Sequence, residues 1–564
     1  MKNILIIGCG LIGSSLLRSI VDKKIVKKIF IHEKSKSNIL KIKKLKLPCE
    51  ATSDFKKIIP NLDLIIFCTP LGEYEKIILK INKYLSPKTI ITDVGSSKEK
   101  SMELIKRNLK KGILKGVISD GDIRRSLKKR ISFESKIDQV VSKKFFSLNI
   151  NSTFDQIQNA VSRFKVVPLV DRNNRLLDYA TPKRLRSIPN AEPNLSGNEL
   201  KYLIDCFKSG WISSKGNYIN KFEKSFKNFT KSNYTLSVSN GTAAIILALK
   251  ALGIKNNDEV IVPDYSFIAP TNSVISVGAK PVLCEVDKDS LCLDISCLKK
   301  LITKKTKAII AVHLFGNIHN IKEISQLAKK NNIFLIEDSA EAFGSYYKNI
   351  HSGTFGDIGT FSFFGNKMIT TGEGGMMTFK NSKIYNSAKI LRDHGMSIKK
   401  RYWHDRVGYN FRLTNLQSSI GLAQLERAKQ FMRIKKNIHA FYKKYLLQSK
   451  YFVLGDKLKN TESSYWLIYI MLDISFYKYR EELIKFLNSR GIDARNGFYS
   501  ASLMPPYIKY KKSTILKNSR EASKTIITLP SSVNLKKSEI KNVCETINIF
   551  FEINKKKLEN HVLV

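Results

Sequence analysis

Acidic residues are scarce in this chain: 48 Asp and Glu stand against 97 Lys and Arg, a net charge of +49 over 564 residues. An excess of that kind supports nucleic-acid binding when it is gathered into a stripe. Here the lysines are spread among Ile and Asn along the whole chain, so no nucleic-acid partner is expected, and the charge serves at most to attract anionic small molecules. Paired cysteines are missing too. The eight cysteines form no C-x-x-C and no zinc-type spacing with histidine, which speaks against a redox motif or a metal site and leaves reduced thiols. No apolar run approaches the ~20 residues of a membrane span, and the opening ILIIG is too short and glycine-broken for a signal peptide. No membrane partner is expected, and the expected compartment is the cytoplasm.

What is present is a chain 43% hydrophobic and 26% charged, long enough for about three or four domains. Residues 4–7 have the pattern of a buried strand and run into Gly8-Cys9-Gly10-Leu11-Ile12-Gly13, after which SSLLRSIV has helical periodicity. This is G-x-G-x-x-G between strand and helix, where Gly8, Gly10 and Gly13 admit a pyrophosphate to the helix N-terminus. Glu33 ends the strand KIFIHE about twenty residues beyond the last glycine, where an acidic side chain binds the adenosine ribose of NAD. With the strands in DLIIFCTP and TIITDVGSSK, these elements predict a Rossmann-like domain over residues 1–112. The segment resembles the nucleotide-binding half of prephenate dehydrogenase through GCGLIGSSL, LIIFCTPLGEY and IITDVGSSK. It lacks that family's SHP-type histidine segment and helical domain, so the resemblance implies NAD as a vestigial cofactor and no dehydrogenase activity.

Residues 113–187 resemble a partial CBS domain. ILKGVISDGDIRRSL is similar to the end of one repeat, in which Ser119 and Asp122 would hold an adenosine ribose. IDQVV through RLLDYA is similar to most of a second repeat: a short strand, a helix, and the paired strands VVPLVD and RLLDYA around an Asn-Asn turn.

From about residue 188 the texture becomes that of a large α/β domain, with apolar strands such as EVIVP and IFLIED alternating with helical runs such as IKEISQLAKK. In Val238-Ser239-Asn240-Gly241-Thr242-Ala243 a small-residue turn opens a helix, so Gly241, Thr242 and Ala243 offer N–H groups and a hydroxyl to a phosphate. Alone, the same arrangement is an ordinary helix cap. Phe267 follows a strand and can lie against a flat ring or in a core. Asp338 ends the strand IFLIED, where a carboxylate can keep a pyridine nitrogen protonated. Lys367 lies between the aromatic run of Phe361, Phe363 and Phe364 and the glycines Gly372, Gly374 and Gly375, with Ser362 five residues before it. Taken alone, any lysine in so basic a protein is a solvated surface residue.

Phosphate cradle, aromatic stack, strand-end aspartate and lysine in this order describe a pyridoxal 5'-phosphate site of fold type I. Residues 188–550 resemble the DegT/DnrJ/EryC1/StrS sugar aminotransferases through SVSNGTAA, VHLFG, IEDSAEAFGSYYK, GTFGDIGTFSFFGNKMITTGEGGM, LRDHGM and GYNFRLTNLQSSIGLAQLER, among others. The resemblance implies a large domain over ~188–435 and a smaller C-terminal α+β domain over ~436–564. It implies that Lys367 forms the Schiff base with the cofactor, Asp338 pairs with its ring nitrogen, Phe267 stacks on the ring, and Gly241, Thr242, Ala243 and Ser362 take the phosphate. Glu341 stands near the cofactor hydroxyl where many relatives have Gln. Asn410 would reach the phosphate of a neighbouring subunit, which implies a homodimer. His313, Trp403, His404 and Arg412 lie in matching motifs without separate roles, and Arg495-Asn496-Gly497-Phe498-Tyr499 departs from the family's proline-containing loop. The implied reaction is amino transfer from L-glutamate to a nucleotide-linked 4-keto-6-deoxy hexose for surface polysaccharide, GDP-4-keto-6-deoxy-mannose first and UDP- or dTDP-linked sugars next. A reading of another class stays open at this point, in which the N-terminal modules sense NAD or adenylates and the last domain is scaffold.

Overall fold

The computed structural model describes residues 3–9, 11–23, 26–33, 36–51, 55–69, 74–86, 89–93, 146–150, 152, 154–164, 166–173, 176–181, 187–446, 449–456, 458–510, 516–555 and 558. Gly10, Ser119 and Asp122 lie outside these residues, as does the whole stretch 94–145. The chain divides into two compact units, Met1–Arg186 and Ser187–Val564. Among the described residues no helix is long and apolar enough to cross a membrane.

In the first unit five parallel strands are ordered Glu50–Ala51, Lys28–His32, Asn3–Ile7, Leu64–Phe67 and Ile90–Asp93. The central strands read as continuous apolar runs because helices cover both faces of a parallel sheet. Leu5, Ile7, Ile65 and Phe67 face one core, and Ile4, Ile6, Leu64 and Ile66 face the other. Gly8 turns the chain out of the first strand at φ +91°. A side chain at Gly13 would stand 2.0 Å from the Gly8 oxygen, so the helix Leu11–Asp22 starts hard against that turn. Cys9 N–H donates to Glu33 Oε2 at 2.7 Å; the carboxylate expected to face a ribose braces the glycine turn itself. Farther on, Leu148–Asn149, Val167–Val170 and Leu176–Ala180 form a three-stranded sheet with Val167–Val170 in the middle, and the helix Phe154–Phe164 lies between the first two in the chain. One face of its helix, with Ile157, Ala160 and Val161, is buried against Val167, Leu169 and Ala180.

The second unit is built on a seven-stranded sheet ordered Lys280–Cys284, Glu259–Pro263, Thr306–Val312, Phe334–Asp338, Ile358–Ser362, Gly375–Phe379 and Tyr234–Val238. All of them run parallel except Gly375–Phe379, which is antiparallel to both neighbours. EVIVP and GMMTF are buried at every position, as strands covered on both faces must be. A second, antiparallel sheet of Phe452–Leu454, Ile468–Leu472, Ile526–Leu529 and Arg495–Asn496 carries the C-terminal core.

The division expected near residue 435 falls inside one helix, Ala428–Tyr445. Residues 188–190, expected with the large domain, lie on the C-terminal sheet instead. Ile188 N–H donates to Gly491 O at 2.7 Å, and Asn190 N–H donates to Asp493 Oδ2 at 3.1 Å. Buried backbone groups need partners, and these residues find theirs beside the strand Arg495–Asn496.

Behind the strand Ile358–Ser362 the helix Asn217–Thr230 inserts Phe222 and Phe226. The Phe226 ring lies 5.1 Å from Phe361, 5.5 Å from Phe343 and 5.8 Å from Phe363. These rings are buried. Phe226→Ala is expected to lower unfolding free energy by about 3–5 kcal/mol through the cavity it leaves, read as a lower denaturant midpoint with an unchanged slope.

Candidate active site

Lys367 sits in a loop closed at its base by the sheet. The strands on either side place Ser362 opposite Gly375. Within the loop Phe363 N–H donates to Gly374 O at 2.8 Å, Thr371 N–H to Phe363 O at 2.9 Å and Lys367 N–H to Phe364 O at 3.0 Å. Phe363, Met368 and Ile369 anchor in the aromatic core, while Phe364 is half exposed. Gly372 adopts φ +79°, a conformation that favours glycine. A side chain at Gly375 would meet the Asn240 carbonyl at 2.8 Å; this glycine makes room for the chain that leads into the phosphate cradle.

The Lys367 amine lies 3.6 Å from Glu341 Oε1 and 3.7 Å from the centroid of the Trp466 indole. Asp338 closes the strand Phe334–Asp338 between Val312 and Thr360, and its Oδ1 accepts Ala340 N–H at 3.1 Å. Glu341 Oε2 accepts Phe315 N–H at 3.0 Å. Both carboxylates are buried. Burial lowers the Lys367 pKa, opposed by the charges of Glu341 and Asp338. Burial raises the pKa of Asp338, opposed by Ala340 N–H and Lys367, and raises that of Glu341, opposed by Lys367 and Phe315 N–H. Each group is pushed toward its neutral form, which for a lysine means an amine able to accept a proton.

Glu337 is fully buried one residue before Asp338, and successive residues of a strand point to opposite faces. It accepts Gly353 N–H at 2.9 Å, Phe355 N–H at 2.6 Å and Gly356 N–H at 2.7 Å, and meets His313 Nε2 at 2.8 Å. Burial alone would raise its pKa, but His313 and the Gly356 and Gly353 amides outweigh it and hold the pKa below the ordinary value. His313, which carried no role in the sequence, is thus a partner of Glu337.

The cradle is assembled by strand order. Gly375 pairs with Val238 as well as with Ser362, so the turn after Val238 arrives beside Ser362. Asn240 caps the helix Gly241–Ala251 by accepting Ala243 N–H at 2.8 Å, and a side chain at Gly241 would come within 2.9 Å of Ser362 Cβ. Phe267 is 56% exposed, and its ring meets Phe498 edge-on at 5.9 Å. Phe498 in turn stacks on Phe315 at 5.6 Å and 7°, so the departing loop contributes an aromatic wall. Asn410 Oδ1 accepts Arg412 Nη2–H at 3.1 Å, Arg412 pairs with Asp393 at 2.8 Å, and the carbonyl of the next residue, Phe411, accepts Ser239 N–H at 2.8 Å.

The structure thus brings Lys367, Asp338 and Glu341 together in one group, and Gly241 and Ser362 in another. A buried strand-end carboxylate, a desolvated amine and a cradle that a Cβ would fill suit pyridoxal phosphate. Trp466 and Glu337 went unnoticed in the sequence. A tryptophan so far along the chain from Lys367, or a glutamate beside a more telling aspartate, carries no local mark.

Residues 193–548 match the DegT/DnrJ/EryC1/StrS aminotransferase family, and residues 17–118 match the nucleotide-binding domain of prephenate dehydrogenase. The GDP-perosamine synthase of Vibrio cholerae is 42% identical over 364 residues, 64% of this chain and 99% of that protein. That of Escherichia coli O157:H7 is 42% identical over 368 residues, 65% of this chain and 99% of its own length. Among solved structures, Helicobacter pylori PseC, an aminotransferase involved in pseudoaminic acid biosynthesis, aligns with a TM-score of 0.62 at 27% identity over 65% of this chain and 99% of its own. The aminotransferase TlmJ from Streptoalloteichus hindustanus aligns with a TM-score of 0.61 at 26% identity over 64% and 98%.

Glu337→Gln leaves an N–H group facing backbone donors and is expected to cost about 3 kcal/mol or more at neutral pH. Because the folded-state pKa of Glu337 is depressed, its contribution is complete above the unfolded value near 4.3 and is lost as pH falls through the lower folded value. Denaturation of wild type and variant from pH 7 downward should show the stability gap closing in that acid window.

Proposed function

Because the chain belongs to the DegT/DnrJ/EryC1/StrS aminotransferase family, we propose that it moves an amino group from L-glutamate to the keto carbon of GDP-4-keto-6-deoxy-mannose. The product would be GDP-perosamine for surface polysaccharide, with other nucleotide-linked 4-keto-6-deoxy hexoses as the alternative. That it is a pyridoxal phosphate-dependent aminotransferase follows from the family. The GDP-linked sugar is supported by the 42% identity to the two GDP-perosamine synthases, each matched over 99% of its length. The observation that carries the reading is the buried Lys367 amine beside Glu341 and Asp338.

When bound, pyridoxal phosphate supplies a protonated ring that draws electrons from the reacting carbon. The protein's own groups do the rest. Asp338 would hold the ring nitrogen, Phe267 its face, Glu341 its hydroxyl edge, and Gly241, Thr242, Ala243 and Ser362 the phosphate. Lys367 would hold the aldehyde carbon until the donor amine replaces it. As a free amine of lowered pKa it would move a proton within each half-reaction, taking it from the donor α-carbon in the first, where water releases the donor as 2-oxoglutarate, and delivering it to the former keto carbon of the sugar in the second.

Asn410 is read as serving the phosphate of a second copy, in a homodimer, as the family resemblance implies; its side chain is held by Arg412. For the N-terminal unit, NAD is read as a vestigial ligand. Gly8 and Gly13 approach one another closely, but Glu33 is engaged with Cys9 N–H.

Lys367→Ala should lose turnover by about 10²–10⁴-fold or more, together with the visible absorbance of protein-bound cofactor. Unchanged turnover would remove the assignment. Side-by-side assays with GDP-, UDP- and dTDP-linked keto sugars settle the acceptor. Mixing Lys367→Ala with Asn410→Ala subunits should restore activity in hybrids that hold one intact site, and failure of every mixture would count against the shared site.

A further inference from the structure

Lys435 is buried on the helix Ala428–Tyr445. Its Nζ donates to the carbonyl oxygen of Trp466 at 2.7 Å and to that of Ser531. Among the described residues no carboxylate pairs with it, and burial pushes its pKa down to about 7. Lysines are almost never buried without a partner, so the two carbonyls are what this one is kept for. Even as a neutral amine it retains one N–H for each of them.

Both carbonyls belong to segments that lead to the site. Ser531 follows the strand Ile526–Leu529, and its Oγ accepts Ile468 N–H at 2.7 Å. Trp466 precedes the strand Ile468–Leu472, and its indole carries the Lys367 amine over its face at 3.7 Å. The same indole donates Nε1–H to the carbonyl of Asn366, the residue before Lys367, at 2.8 Å. Trp466 is therefore gripped at its main chain by Lys435 and at its ring by the backbone of the catalytic loop. Asn366, Lys367 and Lys435 line one small cavity.

We propose that Lys435 is a positioning residue for amino transfer: by holding the carbonyls of Trp466 and Ser531 it sets the indole face on which the Lys367 amine rests. This rests on the reading of Lys367 as the reactive amine. A ring face attracts the charged form of an amine within about 6 Å, so the indole's placement bears on the amine's direction and on its affinity for a proton.

The test uses the full-length protein with Trp211→Phe and Trp403→Phe, which leaves Trp466 as its single tryptophan. In the cofactor-free form, Lys435→Met should raise acrylamide quenching of Trp466 emission about twofold or more. In the loaded enzyme it should lower kcat about tenfold, short of the ~100-fold that a 1 Å misplacement brings, with KM for glutamate little changed. It should also shift the pH midpoint of the bound cofactor's visible band. Lys435→Arg, which keeps donors for both carbonyls, should restore all three. In a Trp466→Phe background the loss on Lys435→Met should shrink below about twofold, because coupled residues are not additive. Unchanged quenching, or an equal loss of kcat in both backgrounds, overturns the proposal. If Lys435→Met does not fold, the same readouts on Lys435→Leu, which also lacks donors, decide it. The quenching needs no cofactor, so it separates failure of this inference from failure of the Lys367 assignment, which Lys367→Ala reports.

Discussion

The carboxylate of Glu337 is fully buried and takes its hydrogen bonds from three backbone amides of the loop around Gly353–Gly356 and from His313. An ionised carboxylate in a protein interior is tolerable only when its lone pairs are met in this way. Meeting them ties the loop 353–356 and the residue after strand Thr306–Val312 to the end of strand Phe334–Asp338. The neighbouring Asp338 is then held on the opposite face at a defined height. The register that sets Asp338 beside Thr360 also runs on, through Ile358–Ser362 and Gly375–Phe379, to the cradle at Gly241.

On the Asp338 face the electrostatics reverse. The donors around Glu337 hold its pKa below the ordinary value, whereas burial is the leading influence on Asp338, Glu341 and Lys367 and pushes each toward its neutral form. Adjacent residues of one strand therefore serve opposite ends, one carboxylate as a permanent structural anion and the other within a group whose protons can move. Alternation of side chains across a sheet makes this separation available at no distance along the chain. The indole of Trp466 completes the second group by covering the amine with a ring face instead of another charge.

Much of the catalytic unit was legible because its motifs are local. The strand-end Asp338, the turn Asn240–Ala243 and the loop around Lys367 each carry their residue types within a few positions, and periodicity placed each on a strand end or a helix start. What stayed hidden was long-range. Lys435 stands at helical spacing from Phe431, Ile438 and Tyr442 and so on the buried face of its helix, but what it meets there, the carbonyls of Trp466 and Ser531, is far away along the chain. Residues 188–190, which the resemblance places in the large domain, lie on the C-terminal sheet, where Gly491 O and Asp493 Oδ2 accept the N–H groups of Ile188 and Asn190. Of the glycines after Lys367, Gly375 makes room for the Asn240 carbonyl, a neighbour that only the sheet brings to it.

The sequence by itself determined the family, the order of the strands' apolar runs and the chemical types at the site, because those follow from periodicity and from short motifs with a local physical cause. The tertiary structure alone decided which charges stay ionised, which buried lysine reaches the site through a tryptophan, and which sheet each end of the chain joins. Burial and hydrogen-bond partners are properties of the packed chain, and residues a hundred positions apart acquire them only when the fold brings them within reach.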